Sequence, residues 1–194
     1  MATMRNASPE QAAGVLRDGR VILVPTETVV GLVSSEAGLP RIRKIKGRDT
    51  NKAIAFLCAS SEEAFALARN APPLARRLAD LYWPGPLTLV LDAPEDGTVG
   101  VRVPDHATVQ DLLAVYGEPF YATSANLSGE PAPSSLGEVD PRVSDEAELI
   151  LDGEPGSGKA SAVVDLSDGK IELLRSSAEL TEERLRRLAD DLER

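Results

Sequence analysis

Apolar residues fall in short runs that are bounded by Gly, Pro, Ser or Asp. Runs rich in Val, Ile and Leu, with almost no polar interruption, predict buried strands. Because the runs are nearly continuous rather than alternating, helices are expected to cover both faces of the sheet that they form. The predicted strands are RVILVP, AIAFLCAS, LTLVLD, VGVRVP, PFYATS, ELILD, SAVVDL and KIELLR.

Between these runs, apolar residues recur at helical spacing after capping residues such as Ser8, which is followed by proline. Strands and helices alternate in the first half and strands cluster later, so we predict an α/β fold with a mixed sheet. No repeat or long linker is present, and residues 1–194 are expected to form one domain. The predicted helices are EQAAGVLRDG, LPRIRKIKG, SSEEAFALARNA, PPLARRLADLYW, ATVQDLLAVYG and a C-terminal helix at about 181–193.

The scarcity of metal-binding and disulfide-forming residues narrows the possible functions. Cys58 is the only cysteine and His106 the only histidine. A disulfide framework and a Cys₄ or Cys₂His₂ zinc site are therefore excluded, and we predict no metal ligands in the protein. No apolar run approaches the roughly 20 residues of a membrane span, and no secretory signal pattern is visible. A cytoplasmic protein without membrane contact is expected.

Charge is unevenly distributed along the chain. The net charge of −10 argues against a surface that binds nucleic acid throughout. Residues 41–52 nevertheless contain six basic side chains and a single acid, Asp49. Such a local patch suits a confined anion, for example a nucleotide phosphate chain, and a solvated helix end is the alternative. The basic residues are Arg41, Arg43, Lys44, Lys46, Arg48 and Lys52.

The segment GEPGSGK at 153–159 matches the glycine and lysine spacing of a phosphate-binding P-loop. Position 160 is alanine where the P-loop needs Ser or Thr to hold magnesium, and the following SAVVDL is strand-like rather than helical. Without a helix N-terminus the cradle of backbone N–H groups is missing. We therefore predict a glycine-rich connection between two strands.

Two strand ends offer small polar side chains, and open α/β sheets bind ligands outside strand ends. VPTETVVGL contains Thr26 and Thr28 around Glu27, although these residues taken alone favour caps of a helix that begins near Val29.

The second strand end, YATSANLSG, brings Thr123, Ser124, Asn126 and Ser128, whose hydroxyl and amide groups suit phosphate, ribose or carboxylate oxygens. An ordinary turn is the alternative. The Pro- and Ser-rich stretch after Asn126 is predicted to be a mobile loop over a site.

Two further features have structural interpretations. WPGP, with Trp83, predicts a rigid packed turn. Arg102 lies inside an apolar strand, where a charge is costly unless it meets an anion or an ion-pair partner. A bound anion and a structural ion pair both remain open for it.

Six segments together resemble the YrdC-type family of L-threonylcarbamoyladenylate synthases in its short form, over about residues 20–175. The resemblance implies a twisted mixed sheet around a deep basic cleft. In that cleft ATP, accompanied by Mg²⁺, reacts with L-threonine and bicarbonate to give threonylcarbamoyl-adenylate and pyrophosphate. The implied acceptor is the transferase machinery that modifies adenosine 37 of certain tRNAs to t⁶A, and tRNA contact is a further expectation. The segments are VPTETVVGL, KGRDTNK, WPGPLTLVL, VGVRVP, ATSANLSG and SAVVDL.

The resemblance also assigns roles to single residues. The catalytic Lys-x-Arg and Ser-x-Asn group falls on Lys46, Arg48, Ser124 and Asn126. The expected ATP-binding residues are Lys52, Arg175 and Ser161. The expected substrate-binding residues are Thr26, Thr28 and Arg102.

The chain departs from the family pattern in several places. Val30 replaces a usual tyrosine, Asp49 a common proline and Leu57 a frequent histidine, while Ala160 and Ala162 replace Pro and Thr. The loss of an aromatic side chain and a hydroxyl is expected to change or weaken the binding of the amino acid. The basic residues are kept, so nucleotide binding is the safer expectation. Two alternatives stay open: an ATP-binding relative with another amino-acid substrate, and a non-catalytic RNA-binding module that uses residues 41–52. The 4% aromatic content counts against base stacking by such a module.

Overall fold

A nine-stranded mixed sheet organises the computed structural model, which describes residues 7–47 and 54–192. Across the sheet the order is β7-β1-β2-β6-β3-β5-β4-β8-β9. The pairs β1/β7, β3/β5 and β4/β8 are parallel and the others are antiparallel, so the predicted mixed sheet is confirmed. The strands are β1 (Ile22–Val24), β2 (Gly31–Ser34), β3 (Ala55–Leu57), β4 (Leu87–Asp92), β5 (Thr98–Arg102), β6 (Phe120–Ser124), β7 (Leu149–Ile150), β8 (Ala162–Asp165) and β9 (Glu172–Arg175).

The helices flank this sheet, and the first and last of them begin at capping residues that the sequence indicates. Ser8 accepts a hydrogen bond from the Gln11 backbone while the Gln11 side chain accepts one from the Ser8 N–H, which forms a capping box. Thr181 caps the last helix through a single hydrogen bond, which its hydroxyl accepts from the Arg184 backbone N–H. The helices are α1 (Pro9–Arg17), α2 (Leu39–Lys46), α3 (Ser61–Ala66), α4 (Pro73–Tyr82), α5 (Ala107–Tyr116), α6 (Pro141–Ser144) and α7 (Glu182–Asp190).

The two faces of the sheet are covered differently. Alternate strand residues such as Leu32, Leu89 and Val164 point to one face, where they pack against residues of α2, α4, α6 and α7. On the other face α1 and α5 pack over the end formed by β1 and β7, with Leu16 and Leu112 in that cluster. The remainder of this second face is not filled by side chains and forms the floor of a cavity.

Two predictions about local structure are wrong. No helix begins near Val29, because residues Gly31–Ser34 pair with β1 and β6 as a strand in the middle of the sheet. Pairing on both sides supplies the backbone hydrogen bonds that a helix would otherwise provide. The helix predicted at SSEEAFALARNA is also shorter, since α3 ends at Ala66. Within residues 7–47 and 54–192, no helix combines the length and the apolar character needed to cross a membrane.

Candidate active site

The cavity over the open sheet face has a volume of about 470 Å³. Its floor consists of small residues on neighbouring strands, namely Gly31, Ala55, Gly100 and Ala122. Register brings them together: Ala55 lies opposite Ala122, and a Cβ on Gly100 would lie 3.2 Å from the Ala55 Cβ. Alternate residues of paired strands face the same side, so these small side chains leave open a hollow that larger ones would fill.

One wall of the cavity is built from the turn at residues 26–28 and the end of β5. The Arg102 guanidinium, only 7% exposed as a residue, donates from Nη2 to Glu27 Oε1 at 2.5 Å and from Nη1 to Thr28 Oγ1 at 3.0 Å. Thr28 Oγ1 lies 2.8 Å from Thr26 Oγ1, which in turn donates to the Val29 carbonyl at 2.7 Å. Arg102 is therefore both an ion-pair partner and a cation on the cavity wall.

The WPGP turn also holds Arg102 in place through a backbone carbonyl. The Gly85 carbonyl accepts a hydrogen bond from Arg102 Nε at 3.2 Å. Trp83 Nε1 donates to the Leu87 carbonyl at 2.7 Å, and the Trp83 ring lies 5.7 Å from that of Phe65. The turn is thus the packed structure that the sequence predicts, and it also provides a carbonyl that orients Arg102.

A second wall comes from β4, β8 and β9. Arg175 donates to the carbonyl and the hydroxyl of Ser161, at 2.5 Å and 3.1 Å. Ser161 Oγ lies 2.9 Å from Thr88 Oγ1, so three polar side chains form one network at the cavity. Partial burial of its guanidinium, with the nearby charge of Arg102, lowers the pKa of Arg175. Two cations held this close favour an anion between them.

Lys46 lies beneath the cavity rather than on its wall. Its ammonium, at the end of α2, donates to the Ser124 carbonyl at 2.5 Å and to Asn126 Oδ1 at 2.9 Å. Ser124 Oγ also donates to Asn126 Oδ1, and both of these residues line the cavity. Lys46 is 1% exposed and is not among the cavity-lining residues of the described chain. Three of the four residues of the predicted catalytic group thus come together, with Lys46 behind the two side chains that face the cavity.

Two predicted site residues, Arg48 and Lys52, lie outside the described residues. Within the described part of the 41–52 stretch, the basic side chains do not all face solvent. Lys46 is buried, and Arg41 forms an ion pair with Glu146. These observations weaken the idea of a broad phosphate-binding surface for RNA, which needs accessible cations side by side.

Only some of the departures from the family pattern reach the cavity. Val30 is 1% exposed and packs in the core cluster with Leu23 and Ile42, and Ala162 is also buried in the core. Leu57 and Ala160, by contrast, line the cavity. In the described part of the site, ligand choice is therefore affected by the loss of a polar histidine at Leu57 and by the loss of a proline at Ala160.

The stretch after Asn126 lies against the site, as expected for a loop over it. The Val30 N–H donates to the Pro133 carbonyl at 2.9 Å, and Glu130 and Ala132 line the cavity. The loop contains a short 3₁₀ turn at Leu136–Glu138. Its mobility stays a prediction.

The glycine-rich segment 153–159 is a connection between β7 and β8, as predicted. Residues 153–159 have no helical turn, and the chain enters β8 at Ala162. The P-loop alternative is therefore wrong, because no helix N-terminus follows the lysine.

Several site features were not predicted from the sequence. The acidic wall residue Glu130, the Gly85 carbonyl and the ion-pairing role of Glu27 become visible only through contacts between distant segments. The cavity floor had a detectable pattern, since Gly31, Ala55, Gly100 and Ala122 are small residues inside apolar strand runs. Small residues in strand interiors mark sites where a ligand or another backbone comes close.

Cys58 is expected to be chemically inert in the folded protein. Burial, with a contribution from the charge of Glu63, raises the pKa of its thiol to about 12. At pH 8 the reactive thiolate is therefore almost absent, and alkylation by iodoacetamide should proceed only after unfolding. Mass spectrometry of native and urea-unfolded samples measures this difference. Equal labelling of both samples would show that the thiol is accessible.

Comparison with known proteins agrees with this fold. A family model named for Sua5, YciO and YrdC, and described as "Telomere recombination", matches residues 14–177. The chain belongs to the Sua5/YciO/YrdC family. The fold class predicted from the sequence is confirmed by solved members of this family.

Similar members of the Sua5/YciO/YrdC family include long and short proteins. A threonylcarbamoyl-AMP synthase of Pyrococcus abyssi is 38% identical over 177 residues, which are 84% of this chain and 52% of that protein. One of Vibrio cholerae is 34% identical over 168 residues, which are 79% of this chain and 88% of that protein. The crystal structure of P. abyssi Sua5 complexed with L-threonine superposes with a TM-score of 0.86 at 33% identity, over 97% of this chain and 61% of that one. The chain thus spans about half the length of the archaeal relative.

Proposed function

We propose that this protein is a threonylcarbamoyl-AMP synthase, which converts L-threonine, bicarbonate and ATP into threonylcarbamoyl-AMP and pyrophosphate. The observation that carries the proposal is one cavity at which Arg102, Arg175, Ser124 and Asn126 converge from separate segments. The names of the relatives and the solved complex of P. abyssi Sua5 with L-threonine support the same conclusion. A volume of about 470 Å³ is in the range of pockets that bind nucleotide-sized ligands.

The amino acid fits the wall formed by Arg102 and the turn at 26–28. Its carboxylate needs a cation with hydrogen-bond donors, and the Arg102 guanidinium, which has five N–H groups, supplies them. The hydroxyls of Thr26 and Thr28 donate within the turn, and Thr28 Oγ1 accepts from Arg102, so they hold the guanidinium in place. Arg102 forms an ion pair with Glu27, which partly neutralises its charge and fixes its orientation. The wall therefore offers oriented N–H donors rather than an isolated positive charge. In this proposal Thr26, Thr28 and Arg102 bind substrate.

The nucleotide fits the remaining walls. Ser124 and Asn126 offer a hydroxyl and an amide held in place by Lys46, while Arg175 and Ser161 face the cavity from β9 and the start of β8. Arg48 and Lys52 are proposed to add cations to the triphosphate from the adjoining segment.

The residue types match the chemistry of the reaction. The threonine amine takes up CO₂ derived from bicarbonate to form a carbamate, with loss of a proton from nitrogen. A carbamate oxygen then attacks the α-phosphorus of ATP, the bond to the β-phosphate oxygen breaks, and pyrophosphate leaves. Three anionic groups meet in this step, so cations on the walls lower the barrier by offsetting their repulsion. Positioning rather than a covalent nucleophile supplies the rate.

Mg²⁺ would enter with the nucleotide. Among residues 7–47 and 54–192 no group of three His, Cys, Asp or Glu side chains is arranged to hold a metal. Mg²⁺ on nucleotides takes most of its ligands from phosphates and water, with one or two carboxylates at most, and Glu130 is an acidic residue on the cavity wall. The site therefore fits an ion bound to the triphosphate, where it neutralises phosphate charge.

The product fits a role in tRNA modification. Threonylcarbamoyl-AMP is a reactive mixed anhydride that needs an acceptor, and the family resemblance implies the t⁶A transferase machinery and tRNA. A cytoplasmic location, where ATP and tRNA are available, belongs to the same proposal.

Filling the cavity floor should block ligand binding without unfolding the protein. Replacing Ala122 by Leu directs a larger side chain into the hollow, and we expect at least about tenfold weaker ATP binding, equivalent to about 1.4 kcal/mol, by isothermal titration. The control is Ala114→Leu, on the exposed side of α5, which should bind ATP normally. Normal binding by Ala122→Leu would mean that ATP occupies another surface.

Pyrophosphate release tests the proposed reaction. The purified chain is supplied with Mg²⁺ and ATP, and L-threonine or bicarbonate is omitted in turn. We expect release only when all three substrates are present. Release without L-threonine would contradict the substrate assignment, and binding of tRNA with a steep salt dependence but no ATP turnover would favour the RNA-binding alternative.

A further inference from the structure

The connection at residues 153–159, which we call the strap, crosses directly over the turn that binds the amino acid in the proposed function. Ser157 N–H donates to the Glu27 carbonyl at 2.9 Å, and Gly158 N–H donates to the Thr28 carbonyl at 2.8 Å. The turn at 26–28 links β1 to β2 and has no strand neighbour of its own. These two hydrogen bonds hold the backbone of the turn, while Arg102 and the Asp105 N–H hold the side chains of Glu27 and Thr28.

Gly156 permits this close approach. A Cβ at Gly156 would lie 2.6 Å from the Thr28 carbonyl oxygen and nearer still to that of Thr26, and real Cβ atoms do not come within 3.0 Å of other atoms. The obstructing atoms are backbone, so they cannot rotate away as a flexible side chain would. Gly156 does not have a positive φ, so the requirement is for space rather than for an unusual backbone conformation.

Both ends of the strap are anchored independently of Gly156. At its start, the Glu154 carbonyl lies 3.0 Å from His106 Nε2. At its end, Ala162 N–H donates to the Pro86 carbonyl and β8 pairs with β4. Ser161, on the nucleotide wall, is thus held by the sheet and by Thr88 and Arg175. A disturbance in the middle of the strap is expected to move the turn at 26–28 and to leave Ser161 in place.

We propose that the strap clamps the turn at 26–28 and thereby sets the amino-acid subsite, with Gly156 as a positioning residue. This inference rests on the proposed function and specifies how its substrate wall is held. The hydroxyls of Thr26 and Thr28 and the guanidinium of Arg102 form one hydrogen-bonded set, so a shift of the turn misaligns all three. A misplacement of about 1 Å is enough to cost about 100-fold in a positioned reaction.

The test is Gly156→Ala, with Gly14→Ala as the matched control. Gly14 lies on the exposed side of α1, where an added Cβ meets nothing within 4 Å. For Gly156→Ala we expect the KM for L-threonine to rise about tenfold or more. The KM for ATP should stay within about twofold of the wild-type value, because the nucleotide walls are anchored separately. Gly14→Ala should match the wild type in both constants.

Amide hydrogen exchange supplies a second readout that does not depend on turnover. The Ser157 and Gly158 amides should lose protection in Gly156→Ala, while amides of β4 and β8 keep it. A purely structural role would instead lower kcat, or raise both KM values together, and either result overturns the inference. So does an unchanged KM for L-threonine. Failure of the proposed function is distinguishable from failure of this inference alone. If the proposed function is wrong, the wild type itself will show no dependence on L-threonine, and the inference then falls with it.

Discussion

Replacing Lys46 by Met is expected to remove nearly all activity, although Lys46 does not face the cavity. Its ammonium donates to the Ser124 carbonyl and to Asn126 Oδ1, and these bonds orient the two side chains that line the nucleotide wall. Met fills a similar volume but donates no hydrogen bond. Ser124 and Asn126 would lose their common anchor, and we expect kcat/KM to fall about 100-fold or more.

The same change should lower stability. Lys46 is almost fully buried, so its loss leaves acceptors without their donor, at a cost of about 1–3 kcal/mol for each unsatisfied group. The fall in kcat/KM is measured by pyrophosphate release, and the free energy of unfolding by urea titration. The two measurements together separate a loss of activity from a loss of folded protein. We expect the fall in kcat/KM to persist at temperatures where the variant is fully folded.

The matched control for Lys46 is Lys44→Met. Lys44 lies two positions before Lys46 on the same helix and is exposed. The identical substitution there removes one charge without disturbing a buried network. It should change neither stability nor kcat/KM by more than about twofold. If Lys44→Met is as harmful as Lys46→Met, the effect comes from net positive charge near α2 and not from the anchoring of Ser124 and Asn126.

Replacing Arg102 by Met is expected to destabilise the fold and to abolish activity for two separable reasons. The first is the buried ion pair, because without Arg102 the Glu27 carboxylate loses its partner at low exposure, which costs about 3–5 kcal/mol. The second is the lost cation on the amino-acid wall. The free energy of unfolding and the KM for L-threonine measure the two effects.

The double variant Glu27→Gln with Arg102→Met separates these effects. It no longer buries an unpaired charge, so we expect stability to recover in part while activity stays low. Recovery of activity along with stability would mean that Arg102 serves only to neutralise Glu27 and does not touch substrate. Arg20→Met is the control for ion-pair loss as such. Its pair with Glu148 is exposed, and its removal should cost about 1 kcal/mol or less.

Local patterns predicted most of the fold. The capping box at Ser8 and the short Val- and Ile-rich runs define elements through interactions within a few residues. The prediction of a helix near Val29 is wrong because contacts between distant segments decide the structure there. The threonines there resemble caps, but hydrogen bonds of β2 to both β1 and β6, the latter far away in sequence, decide the conformation. Tertiary pairing overrides a local preference of this kind.

The candidate site was predicted as a set of residues but not as an arrangement. Lys46 and Ser124 are 78 positions apart in the chain and their contact is visible only in the fold. The sequence therefore groups Lys46 with Ser124 and Asn126, but it does not show that Lys46 lies behind these two side chains rather than on the cavity wall. Val30 shows the converse, because a departure from the family pattern suggested altered specificity, yet its side chain packs in the core.

The mass of the product formed from ATP, L-threonine and ¹³C-bicarbonate tests the central claim most directly. We predict a nucleotide product that contains both the threonine and the ¹³C atom, formed together with one pyrophosphate. Its formation should require the cations and polar groups of the single cavity, and it should disappear in Lys46→Met but not in Lys44→Met. A product limited to AMP, or a threonyl-adenylate without ¹³C, would contradict the account.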